Sequence, residues 1–154
     1  MAETNQAQPE FRMQKMYIKD LSFENPSTPE VFLNQGQEPK VELNLQLNNK
    51  KVDEHHYEVA LEVTAKVTAD EGKKTLFILE LEHAAIFMLK NIPEEHLAMV
   101  LGVDCPTLLF PFTRQIASQV SVDGGFAPFL MEPVNFMALF QSAKKQQEEK
   151  VAAN

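Results

Sequence analysis

The middle of the chain alternates strictly between apolar and polar positions. From Val41 to Leu47 every second residue is apolar, and the segment from Tyr57 to Val67 repeats the pattern. Because successive side chains of a strand point to opposite faces, this period of two predicts two strands, each with one apolar and one solvated face. The glycine-containing segment from Asp70 to Lys73 predicts a hairpin turn after the second of them. The pattern favours an antiparallel sheet.

Two further segments carry apolar residues on both faces. Phe11 to Phe23 predicts a first strand, and Thr75 to Leu89 predicts a fourth. A strand that is apolar on both sides needs cover on both sides, which a single thin domain does not easily supply. We therefore predict an oligomer. The interface residues predicted on the fourth strand are Phe77, Leu79 and Leu81.

After residue 92 the apolar period changes to that of helices. A first helix is predicted to begin near Pro93 and to end at Gly102, and a second to run from Pro106 to Val122. Pro111 predicts either a kink in the second helix or its true start. A short last helix is predicted after Asn135, a residue type favoured at the N-cap.

The order of four strands followed by helices predicts an α+β fold. We assign residues 1–10 to a flexible N-terminus and residues 11–143 to a single domain. Residues 144–154 are charged, rich in glutamine and have little to bury, so they are predicted to be a disordered tail. A loop through Gln35, Gly36 and Gln37 is predicted between the first two strands.

Charge and cysteine content narrow the class of protein. The 154 residues include 22 acids and 14 bases, for a net charge of −8, which argues against nucleic acid as a partner. Cys105 is the sole cysteine, as is common in a reducing compartment. The N-terminal residues resemble no secretory signal, and no uninterrupted apolar run is long enough to cross a membrane. We expect a cytoplasmic protein that does not insert into membranes.

Candidate catalytic or metal-binding groups are sparse. His55 and His56 are adjacent in a polar turn, and adjacent residues of an extended chain do not converge on one ion. Cys105 precedes a helix start, where a thiolate is stabilised, but no base partner is evident, and a buried structural thiol is the alternative. Gly124 and Gly125 lack the spacing of a phosphate-binding loop and are interpreted as a helix stop. We expect neither a cofactor nor a metal.

The remaining signals concern binding. One sheet face is predicted to be acidic, and it is either a docking surface for a basic partner or a solvated face that aids solubility. The 11 phenylalanines and 7 methionines exceed what a small core needs, and such side chains can form an adaptable apolar groove. The residues predicted on the acidic face are Asp20, Glu42, Glu58, Glu62, Glu80 and Glu82.

Three longer motifs resemble the SecB family of export chaperones. They are YIKDLSFE from Tyr17, CPTLLFPFTR from Cys105 and PVNFMALF from Pro133. They occur in the family's order, and together with shorter matches they cover residues 11–140. Met137 departs from the pattern, because the family has an acid there, and the segment beyond Ala143 matches poorly.

The resemblance implies a four-stranded antiparallel sheet with helices on one face, assembled as a homotetramer that is a dimer of dimers. It implies a chaperone without ATPase activity that binds unfolded precursor proteins and delivers them to the translocation ATPase SecA. It places the helix from Pro106 to Val122 between the dimers. The positions matching the family's SecA contacts are Asp20, Glu24, Ile78 and Glu80. The positions matching its client groove are Val41, Leu43, Leu45, Phe136 and Phe140.

The sequence leaves two alternative functions open. A hot-dog-like acyl enzyme also curls a sheet against a helix, and Asp104 is the acid near the helix start that such an enzyme would use. A SecB-like chaperone dedicated to a toxin–antitoxin pair is the other, and genomic context would distinguish it from an export chaperone.

Overall fold

A computed structural model describes residues 7–33 and 38–153 of the chain. Most of the predicted flexible N-terminus, the Gln35–Gln37 loop and Asn154 therefore lie outside the described residues. Four strands precede the helices, which confirms the α+β fold. The strands are β1 (Glu10–Glu24), β2 (Lys40–Lys51), β3 (His56–Ala69) and β4 (Lys74–Lys90). The helices are α1 (Glu94–Met99), α2 (Cys105–Asp123) and α3 (Phe136–Ala152), and a short 3-10 turn spans Glu30–Phe32.

The strands form one antiparallel sheet in the order β1-β4-β3-β2. A tight turn joins β3 to β4, as predicted. It places Asp70, Glu71 and Gly72 at φ values of 53°, 57° and 86°, in the left-handed region that a short hairpin turn requires. β2 pairs with β3 in unbroken register from Lys40 opposite Thr68 to Lys51 opposite Tyr57.

The apolar residues of β1 face the helices, apart from Tyr17, whose hydroxyl reaches Glu58 on the outer face, although their parity suggested two apolar faces. The register of β1 on β4 shifts between Met13 and Lys15 and again between Ile18 and Asp20. Each shift is a β-bulge, which adds one residue and exchanges the faces of the residues that follow. The helix-facing residues of β1 are Phe11, Met13, Met16, Ile18, Leu21 and Phe23. The prediction of a two-sided first strand is therefore wrong.

The interface predicted on β4 is also wrong. Phe77, Leu79 and Leu81 are at most 3% exposed within a single chain, so they cannot contact another copy. The loop that follows α2 covers this end of the sheet, since the Phe126 ring lies 5.1 Å from the Phe77 ring and the Phe129 ring lies 6.2 Å from it. The sequence pattern did not show that this loop folds back over the strand.

Gly102 does not end the first helix. The backbone stays helical from Glu94 to Asp123 through a π-helical turn, Val100–Asp104. A Cβ atom at position 102 would lie 2.8 Å from Cδ2 of Phe140, so the glycine allows α3 to approach closely. Pro111 lies inside α2, so it does not mark the start of this helix. The predicted stop at Gly124 and Gly125 is confirmed.

Among the described residues, the helical stretch Glu94–Asp123 is long and apolar enough to cross a membrane by length and composition. The core helix of a soluble protein passes the same test. In this fold α2 packs against β3 and β4, and it buries Leu109 and Ala117 completely.

The predicted N-cap of α3 is confirmed, because the Asn135 Oδ1 atom accepts a hydrogen bond from the Ala138 N–H at 3.0 Å. The helix continues to Ala152, through residues predicted to be a disordered tail. Residues 144–153 bury no side chain, but apart from Val151 they are alanine, lysine, glutamine and glutamate, which have high intrinsic helix propensity. Its composition alone did not distinguish an exposed helix from disorder.

A buried hydrogen bond joins the centre of the sheet to α2. The Thr113 hydroxyl donates to the Leu109 carbonyl oxygen at 3.3 Å, so the His83 ring donates its Nδ1 proton to the Thr113 Oγ1 atom, 2.7 Å away. His83 is 3% exposed, and burial lowers its pKa below the usual 6.5. The folded state therefore holds this imidazole neutral.

Acidification below about pH 6.5 is expected to destabilise the fold through His83. The unfolded chain takes up a proton there that the folded chain resists, so the free energy of unfolding falls as pH falls, by up to about 1.4 kcal/mol per pH unit. Thermal melts of the native chain and of His83→Gln, at one protein concentration between pH 7.5 and 5.5, measure this. The variant should lose less stability on acidification, and identical pH profiles would contradict the assignment.

Candidate binding surfaces

An apolar cavity of about 290 Å³ lies where β2 meets α3. Strand alternation directs the even-numbered side chains of β2 to one face and the odd-numbered ones towards the helices, so its leucines face α3. Phe136, in the first turn after the Asn135 cap, is nearly fully buried, with its ring 5.8 Å from that of Phe110. The cavity is lined by Leu45, Leu47, Gly102, Phe136, Leu139, Phe140 and Ala143.

The structure brings together three of the five predicted groove residues, Leu45, Phe136 and Phe140. Val41 and Leu43 lie on the same face of β2 but do not line the cavity, and they are 44% and 45% exposed. Together these residues form a continuous apolar surface along the inner face of β2. We call the cavity and this extension the β2 groove.

Sequence analysis missed four residues of the cavity: Leu47, Gly102, Leu139 and Ala143. Leu47 follows the same alternation as Leu45, so its parity could have identified it. Leu139 is exposed on α3, one residue before Phe140. Gly102 had no sequence signal, because its role is to leave room for the Phe140 ring. A second cavity of about 360 Å³, between α1 and α3, shares Phe140 and Ala143 with the first, so α3 has open space on two sides.

The opposite face of the sheet carries the predicted SecA contacts. Across β1 and β4, Glu24 lies opposite Ile78, and two residues along, Ser22 lies opposite Glu80. Asp20 follows on the same face of β1. The four predicted residues Asp20, Glu24, Ile78 and Glu80 are therefore neighbours, and we call them the acidic patch.

Two further acids extend the acidic patch across the sheet. Glu82 lies opposite Asp20 on one side and opposite Glu62 on the other, so three carboxylates form a row across β1, β4 and β3. Like charges directly opposite each other destabilise a sheet. Within residues 7–33 and 38–153, no basic nitrogen lies within 4.0 Å of a carboxylate oxygen of Asp20, Glu24, Glu62 or Glu80.

In Glu58, by contrast, both carboxylate oxygens have hydrogen-bond partners. One of its oxygens accepts a hydrogen bond from the Tyr17 hydroxyl at 2.5 Å, and the other lies 2.9 Å from Lys19 Nζ. Burial raises the pKa of Tyr17 to about 12, helped by this hydrogen bond and the negative charge of Glu58. The pKa of Glu58 is lowered, since the hydrogen bonds from Tyr17 and Lys19 outweigh its burial. Lys50 approaches the same carboxylate at 4.0 Å.

The candidate catalytic groups have structural roles. Asp53 Oδ1 accepts hydrogen bonds from the backbone N–H groups of His55 and His56 and lies 2.7 Å from His56 Nδ1, which closes the β2–β3 turn. Cys105 is completely buried, and burial, with a smaller contribution from Asp104, raises its pKa to about 12, so the thiol stays protonated at neutral pH. Among the described residues, no three His, Cys, Asp or Glu side chains are grouped to hold a metal ion.

Comparisons with known proteins agree with the motifs. The family described as preprotein translocase subunit SecB matches residues 4–147. The chain is 81% identical over 155 residues to the protein-export protein SecB of Desulfotalea psychrophila, covering 99% of both chains. It is 47% identical over 150 residues to the protein of the same name from Magnetococcus marinus, covering 95% of this chain and 94% of the other.

The fold also has a solved counterpart. A SecB-like chaperone of Mycobacterium tuberculosis, solved in complex with a peptide from an antitoxin, superimposes with a TM-score of 0.67. The match covers 80% of this chain and 90% of the other at 13% sequence identity, so it supports the fold alone. The sequence matches, which span nearly the whole of this chain, lead to one conclusion: this chain belongs to the SecB family of protein-export chaperones.

Proposed function

We propose that this chain holds unfolded precursor proteins in the β2 groove, without ATP, and delivers them to SecA through the acidic patch. The observation that carries the proposal is the division of one sheet into an apolar inner edge and an acidic outer face. Both surfaces can be occupied at once because they lie on opposite sides of the sheet. The protein would act by binding alone, in the cytoplasm, without a cofactor.

The β2 groove suits extended apolar segments. Its lining is aliphatic and aromatic, so it can bury varied side chains without demanding a particular hydrogen-bond pattern. The structurally similar M. tuberculosis chaperone was solved with a bound peptide, which agrees with a peptide-binding role for such a fold. A folded protein keeps its apolar residues inside and would not engage the groove.

Truncation of the cavity wall should weaken client binding. In Leu45→Ala/Leu47→Ala each substitution removes apolar area, and we expect the affinity for an unfolded precursor to fall about tenfold or more. The parallel variant Val41→Ala/Leu43→Ala reports whether the groove extends beyond the cavity. Val52→Ala, at an exposed apolar residue after β2, is the matched control. Titration of a fluorescent unfolded precursor measures all three, and full affinity in a correctly assembled cavity variant would disprove the groove assignment.

Charge reversal in the acidic patch should weaken SecA binding and spare clients. Glu80→Lys places a like charge against a basic partner and should slow association, most strongly at low salt. Glu42→Lys makes the same change of charge on the same sheet face, but on β2, away from the acidic patch, and serves as the control. SecA is titrated against each form at two salt concentrations. Equal losses in both variants would mean that net charge, and not this patch, governs docking.

The family's dimer-of-dimers assembly requires apolar surface that a single chain leaves uncovered. α2 offers such a surface, because its residues Leu108, Phe112 and Val122 are exposed. Since Phe77, Leu79 and Leu81 are buried within one chain, we assign the contact between dimers to this outer side of α2 instead.

The native species is therefore expected to have about four times the 17.5 kDa chain mass. Phe112→Asp would bury an unpaired charge in the contact between dimers and should halve this mass. Leu130→Asp, in the exposed loop before α3, should leave it unchanged. Light scattering at micromolar concentration gives the result, and a Phe112→Asp protein of native mass would exclude α2 as the interface.

A further inference from the structure

Lys19 is the extra residue of the second β-bulge in β1. Ile18 lies opposite His83 on the helix-facing side, and Asp20 lies opposite Glu82 on the outer face, so Lys19 has no partner residue on β4. A bulge of this kind re-aims a side chain. The Lys19 ammonium group reaches across the outer face, 2.9 Å from a Glu58 oxygen on β3 and 3.7 Å from a Glu82 oxygen on β4.

This contact divides the acids of the outer face into two groups. Glu58 and Glu82 are neutralised in part by the chain's own cation, and the Glu58 side chain is only 12% exposed. The carboxylates of the acidic patch have no basic nitrogen within 4.0 Å in the described part of the chain. Glu82 lies on the boundary, because it is opposite Asp20 and also contacts Lys19.

We propose that Lys19 determines the specificity of the docking face by occupying Glu58 and Glu82 with an internal cation. A basic partner then finds no unpaired carboxylate at Glu58, and it meets a like charge if it shifts from the acidic patch towards that residue. The inference rests on the proposed docking of SecA to the acidic patch, and adds what fixes the position of that partner. A purely structural role, in which Lys19 only ties three strands together, predicts no change in docking.

Removal of this cation should strengthen docking while making it less selective. We expect Lys19→Met to raise the affinity for SecA about three- to fivefold at low salt, because two carboxylates become available and a like charge is lost. Lys19→Arg should behave as the native chain. Lys50→Met is the matched control: it makes the same change in net charge, at an exposed lysine that touches Glu58 but not Glu82. Its SecA affinity should stay near that of the native protein.

A double-mutant cycle then tests where the partner sits. In the native background Glu80→Lys should weaken SecA binding, and in the Lys19→Met background the same reversal should cost less, because the partner can use Glu58 and Glu82. Calorimetric titration of the assembled protein with SecA gives these affinities, and light scattering and thermal melts verify each variant. Lys19→Gln, which also removes the charge, replaces Lys19→Met if that variant does not assemble.

Three outcomes would overturn the inference. Native affinity in Lys19→Met would leave Lys19 a structural residue, and an equal gain in Lys50→Met would make the effect one of net charge. Additive effects of Lys19→Met and Glu80→Lys would show that the partner does not move. If Glu80→Lys has no effect in the native background, the docking site itself is wrong, so this failure is distinguishable from the other three.

Discussion

The packing of α2 across the middle of the sheet determines which surfaces remain free. α2 contacts β3 and β4, and under it Leu61, Leu79 and Phe87 are completely buried. Burying each of these side chains contributes about 1.5–3 kcal/mol, so the helix cannot leave the centre of the sheet without a large loss of stability. α2 packs on β3 and β4 and not on the edge strand β2. The inner face of β2 therefore faces α3 and forms the β2 groove. None of the helices in the described ranges 7–33 and 38–153 packs on the outer face, so that face is free to be charged.

The sequence predicted the elements well wherever one period dominated. β2 and β3 followed from strict alternation, and the α3 cap followed from Asn135. The predictions failed where long-range contacts decide the structure. The sequence pattern predicts that Gly102 ends a helix, but the residue continues it. The ring of Phe140, almost forty residues later, leaves no room for a side chain at this position. The pattern also predicts that Phe77 is an interface residue, but the loop that contains Phe126 covers its side chain. Neither contact leaves a periodic signal in the segment it affects.

The candidate site was predicted unevenly for the same reason. Motif resemblance supplied the acidic patch, and the register shows that its members are neighbours. Resemblance also supplied Leu45, Phe136 and Phe140, but not Leu47 or Leu139, which line the same cavity. The Lys19 contacts could not be predicted, because they join three strands and depend on a bulge. Pairing between strands is set by the whole sheet, and parity within one strand cannot reveal it.

β1 shows how closely the two faces depend on register. Ile18 and Asp20 are two residues apart and would share a face on a regular strand, but the bulge at Lys19 sends Ile18 towards the helices and Asp20 outward. The apolar residues change parity at the same place, from Met16 and Ile18 to Leu21 and Phe23. The bulge therefore keeps Leu21 and Phe23 on the core side and the carboxylates of Asp20 and Glu24 on the outside. If the same sequence continued from Ile18 as a regular strand, Leu21 and Phe23 would turn to the outer face, and Asp20 and Glu24 would turn towards the helices. The proposed docking surface therefore depends on the irregularity of this strand.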